Sequence, residues 1–245
     1  MKQIILHGDC FDQMESIETN SIDFICIDPP YGITAQTWDN IVSFDRLWSQ
    51  FNRIRKSNCV IAIFGSQPFT TKVIASNFSE FKYCWYWVKN QATNFFHAKY
   101  QPLRKIEEIA IFGGKTYNPQ ITDGHKPTPK IVAEHDSRVY GGKNKRNHAG
   151  GKTTRYPDNV LDFKCVHNYE RVHGNQKPVD LLEYLIKTYS NEGNMVLDCF
   201  AGSGSTLVAA KNLNRQFIGI EQNAEYVQIC KRRLADDNFK TILGI

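Results

Sequence analysis

An α/β fold built on a doubly wound, mostly parallel sheet is predicted by three features of this 245-residue sequence. Short apolar runs rich in β-branched and aromatic residues alternate with amphipathic stretches, the order that strand–helix–strand crossovers produce. Two of those runs stop abruptly, one in Asp28-Pro29-Pro30-Tyr31 and one in Asp198-Cys199-Phe200-Ala201-Gly202-Ser203-Gly204, and open α/β sheets hold their ligands at such carboxyl ends. The composition, 41% hydrophobic and 22% charged, is that of a globular chain that can bury one sizeable core, which excludes collagen-like, coiled-coil and disordered classes.

Taken in order, Ile4–Leu6 reads as the first strand, closed by Gly8 and by Asp9, which is placed to cap a helix over Phe11–Ile17. Asp23–Ile27 is the second strand; the two prolines behind it lack the N–H groups a central strand needs, so the chain must leave the sheet there. Phe44–Lys56 has helical periodicity, and Val60–Phe64, Tyr83–Val88 and Ile106–Phe112 are further strands. Tyr83, Trp85 and Trp87 share one strand face and read as core packing. Val179–Tyr189 is a helix behind Pro178, a residue suited to a first turn, with Leu181, Leu182, Leu185 and Ile186 on one face. Met195–Asp198 is a strand that passes through glycines into a helix over Ser205–Leu213, and Phe217–Glu221 and Ala224–Leu234 are the last strand and helix. No internal repeat is visible.

Charge separates one stretch from the rest. Residues 115–177 carry twelve Lys and Arg against six Asp and Glu, a surplus of +6, whereas everything else sums to −1. The same stretch holds six glycines and five of the seven histidines. A solvated loop would explain this; so would a polyanion contact, because clustered Lys and Arg release counterions on nucleic acid. The expected organisation is one core in two halves, 1–114 and 173–245, interrupted by a basic, loop-rich insertion over 115–172. The histidine spacings fit no standard zinc pattern, so no metal is expected. The seven cysteines are odd in number and form no C-x-x-C pair, which reads as reduced thiols. No apolar run is long enough for a membrane span and an acid follows the N-terminal apolar residues early, so a cytoplasmic protein is expected.

The glycine-rich turn lets the backbone approach a ligand at a helix N-terminus. Glu221, 23 residues after Asp198, ends the next strand, where a carboxylate can accept from two ribose hydroxyls. A nucleoside-bearing cofactor follows. After Gly202 and Gly204 come Ser205, Thr206 and Leu207 with no third glycine, and no G-x-x-x-x-G-K-[ST] occurs. A nucleoside without a phosphate chain is therefore favoured, and S-adenosylmethionine fits. A nicotinamide-dependent oxidoreductase would use Gly202, Gly204 and Glu221 but leave Asp28–Tyr31 idle.

Asp28-Pro29-Pro30-Tyr31 early, Phe200-Ala201-Gly202-Ser203-Gly204 late and Gln176-Lys177-Pro178 between them resemble the amino-group DNA methyltransferases of the permuted β class. Trp38-Asp39-Asn40, Phe64-Gly65-Ser66-Gln67-Pro68-Phe69 and Pro102-Leu103-Arg104-Lys105-Ile106-Glu107-Glu108 are similar to the solitary methylases of phages and prophages. The usual His-Pro-Thr-Gln-Lys-Pro stands here as His173-Gly174-Asn175-Gln176-Lys177-Pro178, so only its last residues carry over. The resemblance implies the Rossmann-like fold of S-adenosylmethionine-dependent methyltransferases, S-adenosylmethionine as cofactor, double-stranded DNA as partner, and the N6 amino group of adenine as target, with N4 of cytosine the alternative. A second copy of the chain and a restriction endonuclease are further partners it leaves open. It places catalysis at Asp28, Pro29, Pro30 and Tyr31. It places the cofactor against Asp9, Cys10, Asp28, Lys177, Pro178, Asp198, Phe200, Ala201, Gly202, Ser203, Gly204, Ser205, Thr206, Glu221 and Gln222. DNA contacts are expected from Lys143, Lys145, Arg146, Lys152 and Arg155 in the stretch at the place of the target-recognition region. Asp9 has a second reading as a helix cap, and Ser205 and Thr206 as caps of the following helix. Cytosine C5 chemistry needs a Pro-Cys nucleophile, and no cysteine here follows proline.

Overall fold

The computed structural model describes residues 2–32, 41–137, 142–148, 150–166 and 176–235, with the backbone for 131–137 and 142–148. They fall into two compact units, one of Met1–Asn118 with Asn159–Ile245 and one of Pro119–Asp158. Trp38-Asp39-Asn40 and His173-Gly174-Asn175 lie outside the described residues.

The larger unit runs β1 (Gln3–His7), α1 (Cys10–Glu15), β2 (Ile22–Ile27), α2 (Phe44–Ile54), β3 (Arg55–Gly65), α3 (Phe69–Ser76), β4 (Phe81–Thr93) and β5 (Arg104–Gly113). The smaller unit contributes β6 (Ile131–Ser137) and β7 (Gly142–His148). The larger then resumes with β8 (Val160–Asp162), α4 (Val179–Tyr189), β9 (Met195–Asp198), α5 (Ser205–Asn212), β10 (Gln216–Glu221) and α6 (Ala224–Ala235). Among the described residues its strands form one eight-stranded sheet in the order β1-β10-β9-β2-β3-β5-β4-β8. β1, β10, β9, β2 and β3 are mutually parallel, β5 is antiparallel to both β3 and β4, and β8 is parallel to β4.

Side-chain alternation explains the two layers. Along β2, Ile25 and Ile27 join Ile61 and Ile63 of β3 under Met14 of α1, Leu47 and Phe51 of α2 and Phe69 of α3. Phe24 and Cys26, one residue out of phase, join Val60, Ala62 and Phe64 under Leu181, Leu185 and Ile186 of α4 and Leu207 and Ala210 of α5. Burying each Leu, Ile or Phe contributes about 1.5–3 kcal/mol. Trp85 and Trp87 are core in this second layer, as their strand spacing predicts, whereas Tyr83 is half-exposed and its hydroxyl meets that of Tyr189 at 2.9 Å. A Cβ on Gly219 of β10 would come within 2.4 Å of the Leu207 side chain, so any larger residue there would displace Leu207 of α5.

Five elements differ from the sequence expectation. The helix expected over Phe44–Lys56 ends at Ile54 and passes directly into β3. α3 is only eight residues long and starts behind Pro68, whose peptide bond with Gln67 is cis. The smaller unit is not loop alone: β6 and β7 pair antiparallel from Ile131↔His148 to Ser137↔Gly142, and Thr122 bridges Arg155. Neither sequence, IVAEHDS in β6 nor GKNKRNH in β7, has the apolar alternation by which strands are recognised. β8, inside the stretch set off by charge, belongs to the main sheet through Leu161, which is buried beside Trp87.

The β9–α5–β10 unit winds towards one edge of the sheet and the β2–α2–β3 unit towards the other. The strand order therefore reverses between β9 and β2, and their carboxyl ends bound the crevice in which such sheets hold ligands.

Candidate active site

Three carboxylates stand at the carboxyl ends of neighbouring parallel strands: Glu221 closes β10, Asp198 closes β9, and Asp28 follows β2. Strands are about 4.8 Å apart, so the outer two are separated by roughly 10 Å of sheet. The two sequence motifs, 170 residues apart in the chain, thus form one site, and Asp198 feels the charges of both Asp28 and Glu221.

Asp28 is held from two sides. Its Oδ1 accepts a hydrogen bond from the Tyr31 hydroxyl at 2.5 Å, and its Oδ2 pairs with Lys177 Nζ at 2.6 Å. Lys177 also pairs with Glu107 Oε1 at 2.7 Å, the Tyr31 hydroxyl reaches the same oxygen at 3.2 Å, and Lys89 approaches Glu107 Oε2 at 3.5 Å. Lys177 Nζ lies 5.1 Å from the centroid of the Phe64 ring. Burial by itself would lower the Lys177 pKa, but the two carboxylates outweigh it and hold the ammonium charged. Burial raises the Asp28 carboxyl, with Lys177 opposing. At Glu107 burial also acts upward, but Lys177 and Lys89 prevail and keep it ionised. Burial, then the two neighbouring carboxylates, push the Tyr31 phenol well up, so it stays a neutral donor. Its ring stacks on Phe69 with centroids 4.8 Å apart.

Lys177, expected at the cofactor, has its ammonium on Asp28 and Glu107. Glu107 itself was not singled out. It enters β5 one residue before a second glutamate, and only the fold shows that it is buried beside the Asp28 turn while Glu108 meets Gln67 near the surface.

At the other end of the crevice Glu221 accepts from the backbone N–H of Gly202 at Oε2 and of Asn223 at Oε1, each at 2.8 Å. Burial raises its pKa against these bonds. Both oxygens retain lone pairs for further donors. Asp198 accepts from Phe200 N at 3.0 Å and from the Thr206 hydroxyl, yet burial pushes its carboxyl up to about 7. Gly202 and Gly204 have φ of 51° and 81°, and a Cβ on Gly204 would come within 2.8 Å of the Cys230 sulfur, so the turn requires glycine at Gly204 on both counts.

The Ser205 and Thr206 hydroxyls have partners within the protein. Both are buried; Thr206 bonds Asp198, while Ser203 and Ser205 accept from the Arg233 guanidinium at 3.1 Å. Asp9 caps α1, accepting from Phe11 N and Asp12 N. Gly8 N donates to the Glu221 carbonyl at 3.0 Å, and His7 Nε2 meets the Gln222 carbonyl, which brings Asp9 and buried Cys10 beside the Glu221 turn. Phe200 and Ala201 pack against the core, and Pro178 precedes α4.

These residues fit a nucleoside carrying a cation rather than a pyrophosphate. The lining offers three carboxylates, residues 198–206 contain no Lys or Arg, and the N–H of Gly202 is already engaged by Glu221.

In the smaller unit, β7 carries Lys143 opposite Asp136, Lys145 opposite Glu134 and Arg146 opposite Ala133; their side chains lie outside the described residues. Lys152 is exposed. The Arg155 guanidinium donates to the carbonyls of Lys126, Lys152 and Thr154, so it closes its own loop.

Residues 22–232 match the family described as DNA methylase. The type II methyltransferase M1.MboII of Moraxella bovis is 28% identical over 243 residues, covering 89% of this chain and 91% of its own. The DNA adenine methyltransferase YhdJ of Escherichia coli K12 is 29% identical over 252 residues, covering 94% and 82%. Among solved structures, that of the M1.HpyAVI–SAM complex superimposes with a TM-score of 0.65 at 24% identity over 96% of this chain and 99% of its own. PvuII DNA methyltransferase, cytosine-N4-specific, superimposes with a TM-score of 0.68 at 17% identity over 98% and 90%. With the family matched across most of its length and two carboxylate motifs closing on one crevice, the chain belongs to the DNA methylases.

Proposed function

We propose that this chain transfers the methyl group of S-adenosylmethionine to the exocyclic N6 amino group of adenine in double-stranded DNA. The observation that carries this reading is Asp28, a carboxyl group at the end of β2, clamped by Lys177 and Tyr31 and about two strands from Glu221. S-adenosylmethionine, when bound, supplies an electrophilic methyl group on a sulfonium centre.

The chain's own residues then have separable tasks. Glu221 accepts from the ribose hydroxyls, and the glycine turn lets the amino-acid end approach the backbone. The nitrogen of an aromatic amine is a poor nucleophile because its lone pair is delocalised. Asp28 and the Pro29 carbonyl accept its two hydrogens and draw it towards tetrahedral geometry, which exposes the lone pair as the transition state forms. The target base must leave the duplex to be reached, and with Phe69 against one face of the Tyr31 ring the opposite face serves as its stacking surface. The methylated, cationic amine loses a proton to Asp28, a role suited to a carboxyl whose pKa burial raises. The name of M1.MboII supports methyl transfer, and that of YhdJ supports DNA and adenine. Lys143, Lys145, Arg146 and Lys152 supply phosphate contacts in this reading, Arg155 serving the loop that carries Lys152. An enzyme acting on DNA with seven unpaired thiols belongs to the cytoplasm of a bacterial or phage-infected cell.

Mass spectrometry of nucleosides from DNA treated with the protein and S-adenosylmethionine will show N6-methyladenine. N4-methylcytosine without N6-methyladenine overturns the base assignment, and neither product overturns the activity. Glu221→Ala will raise the dissociation constant for S-adenosylmethionine roughly 10- to 150-fold, the equivalent of about 1.5–3 kcal/mol for a charge-assisted contact. Calorimetric titration giving an unchanged constant removes Glu221 from the ribose site.

A further inference from the structure

β4 and β5 form a long hairpin whose tip stands beyond the carboxyl edge of the sheet. Phe64, at the end of β3, is opposite Ile109, and Gly65 is opposite Glu108, so moving back along β5 from Glu108 carries the chain past that edge. Glu107 touches Lys177, which touches Asp28. Arg104, where β5 begins opposite Thr93, is three residues further out, roughly 10 Å of extended chain. The hairpin tip, residues 94–103, therefore rises from the side of the reactive carboxylate.

Its surface is unlike that of a solvated loop. Phe96 is 99% exposed, Tyr100 86% and Phe95 66%, with Leu103 and Ile106 also exposed. No Asp or Glu occurs between Glu80 and Glu107, while Lys99, Arg104 and Lys105 flank the aromatics and His97 lies among them. The tip holds its own shape. Asn94 adopts φ 72° and opens a short 3-10 turn over Phe95–His97, and the carbonyls of Asn94, Phe95 and His97 accept from His97, Ala98 and Tyr100 N–H groups. The His97 ring meets the Asn94 side chain at 2.9 Å. An ordered turn that presents a bare phenyl ring amid positive charge has the chemistry of a surface that enters nucleic acid, cations on the phosphates and the ring against bases.

We propose that the β4–β5 tip is a duplex-DNA contact in which Phe96 enters the base stack as a wedge, filling the place of the nucleotide drawn to Asp28. This rests on the proposed DNA-methylating function and adds a second contact region, formed by the larger unit itself. The wedge lowers the cost of unpairing and unstacking the target, so its effect is confined to DNA in which the target is paired.

Methylation should be compared for the wild type, Phe96→Ala and Phe96→Leu on three DNAs with one target: the duplex, the duplex with an abasic site opposite the target, and the single strand. Because Phe96 lies in solvent, the substitutions leave the core untouched. Phe96→Ala is expected to lower kcat/KM on the duplex about 10-fold or more and on the other two less than about 3-fold, with Phe96→Leu recovering most of the loss. With 2-aminopurine at the target, the fluorescence rise on binding should weaken in Phe96→Ala and return in Phe96→Leu. Equal losses on all three DNAs, or no loss on any, overturn the wedge. A shift in sedimentation of the protein without DNA assigns the aromatics to an interface between copies and overturns it too. If the wild type methylates none of the DNAs, the function proposed above fails, and this inference fails with it.

Discussion

Asp28→Ala will lower the rate of methyl transfer by about 100- to 1000-fold or more, the effect of removing one preorganised acceptor worth about 3–4 kcal/mol in a transition state, while cofactor affinity stays within about threefold of wild type. The geometry predicts this split. Asp28 is two strands from Glu221, and Lys177 keeps its second carboxylate, Glu107, when Asp28 is gone, so the variant leaves no unpaired buried lysine and folds. Asn at this position keeps one acceptor but offers N–H donors to an amino group that needs acceptors, so Asp28→Asn will resemble Asp28→Ala. Single-turnover methylation with saturating cofactor separates the rate from binding. A variant retaining a tenth of wild-type turnover removes Asp28 from the reacting centre.

Lys177→Met will destabilise the fold by about 3–5 kcal/mol, because it leaves the Asp28 and Glu107 carboxylates facing each other without the ammonium that both contact. At about 2–4 °C per kcal/mol for a chain of this size, Tm falls by roughly 10 °C. The deficit depends on pH in a definite sense. With this cation gone, burial and repulsion from Glu107 raise the Asp28 pKa above that of the unfolded chain, while Lys89 still opposes the same rise at Glu107, so the folded state binds more protons and the variant gains stability as pH falls from 8 towards 5. Adding Glu107→Gln removes one of the two charges and returns part of the loss at pH 8. Equal unfolding midpoints for the wild type and Lys177→Met, or a double variant weaker than the single one, would show that Lys177 does not neutralise this pair.

The buried centres of most strands of the sheet, though not their ends, were legible because a strand buried on both faces is written as a short continuous apolar run, and such runs at Asp23–Ile27, Val60–Phe64 and Met195–Asp198 need no partner to be recognised. The stops behind them were legible for a similarly local reason: proline cannot extend a central ladder, and glycine permits the positive φ seen at Gly202 and Gly204. α3 and β8 were not, since eight and three residues are too few for a period to emerge, and the sequences of β6 and β7 do not alternate apolar with polar residues.

Side-chain partners are a matter of tertiary structure. The sequence by itself determined that two acidic motifs close two strands of one α/β sheet, because both depend on neighbours within a few residues. Only the fold decided that β9 lies beside β2 and brings Asp198 next to Asp28, that Thr206 turns to Asp198 and Ser205 to Arg233, and that Lys177 serves Asp28 and Glu107, 149 and 70 residues away. Such pairings are set by strand order and register, and a buried charge takes whichever opposite charge the packed core places within reach, information that no local run of residues contains.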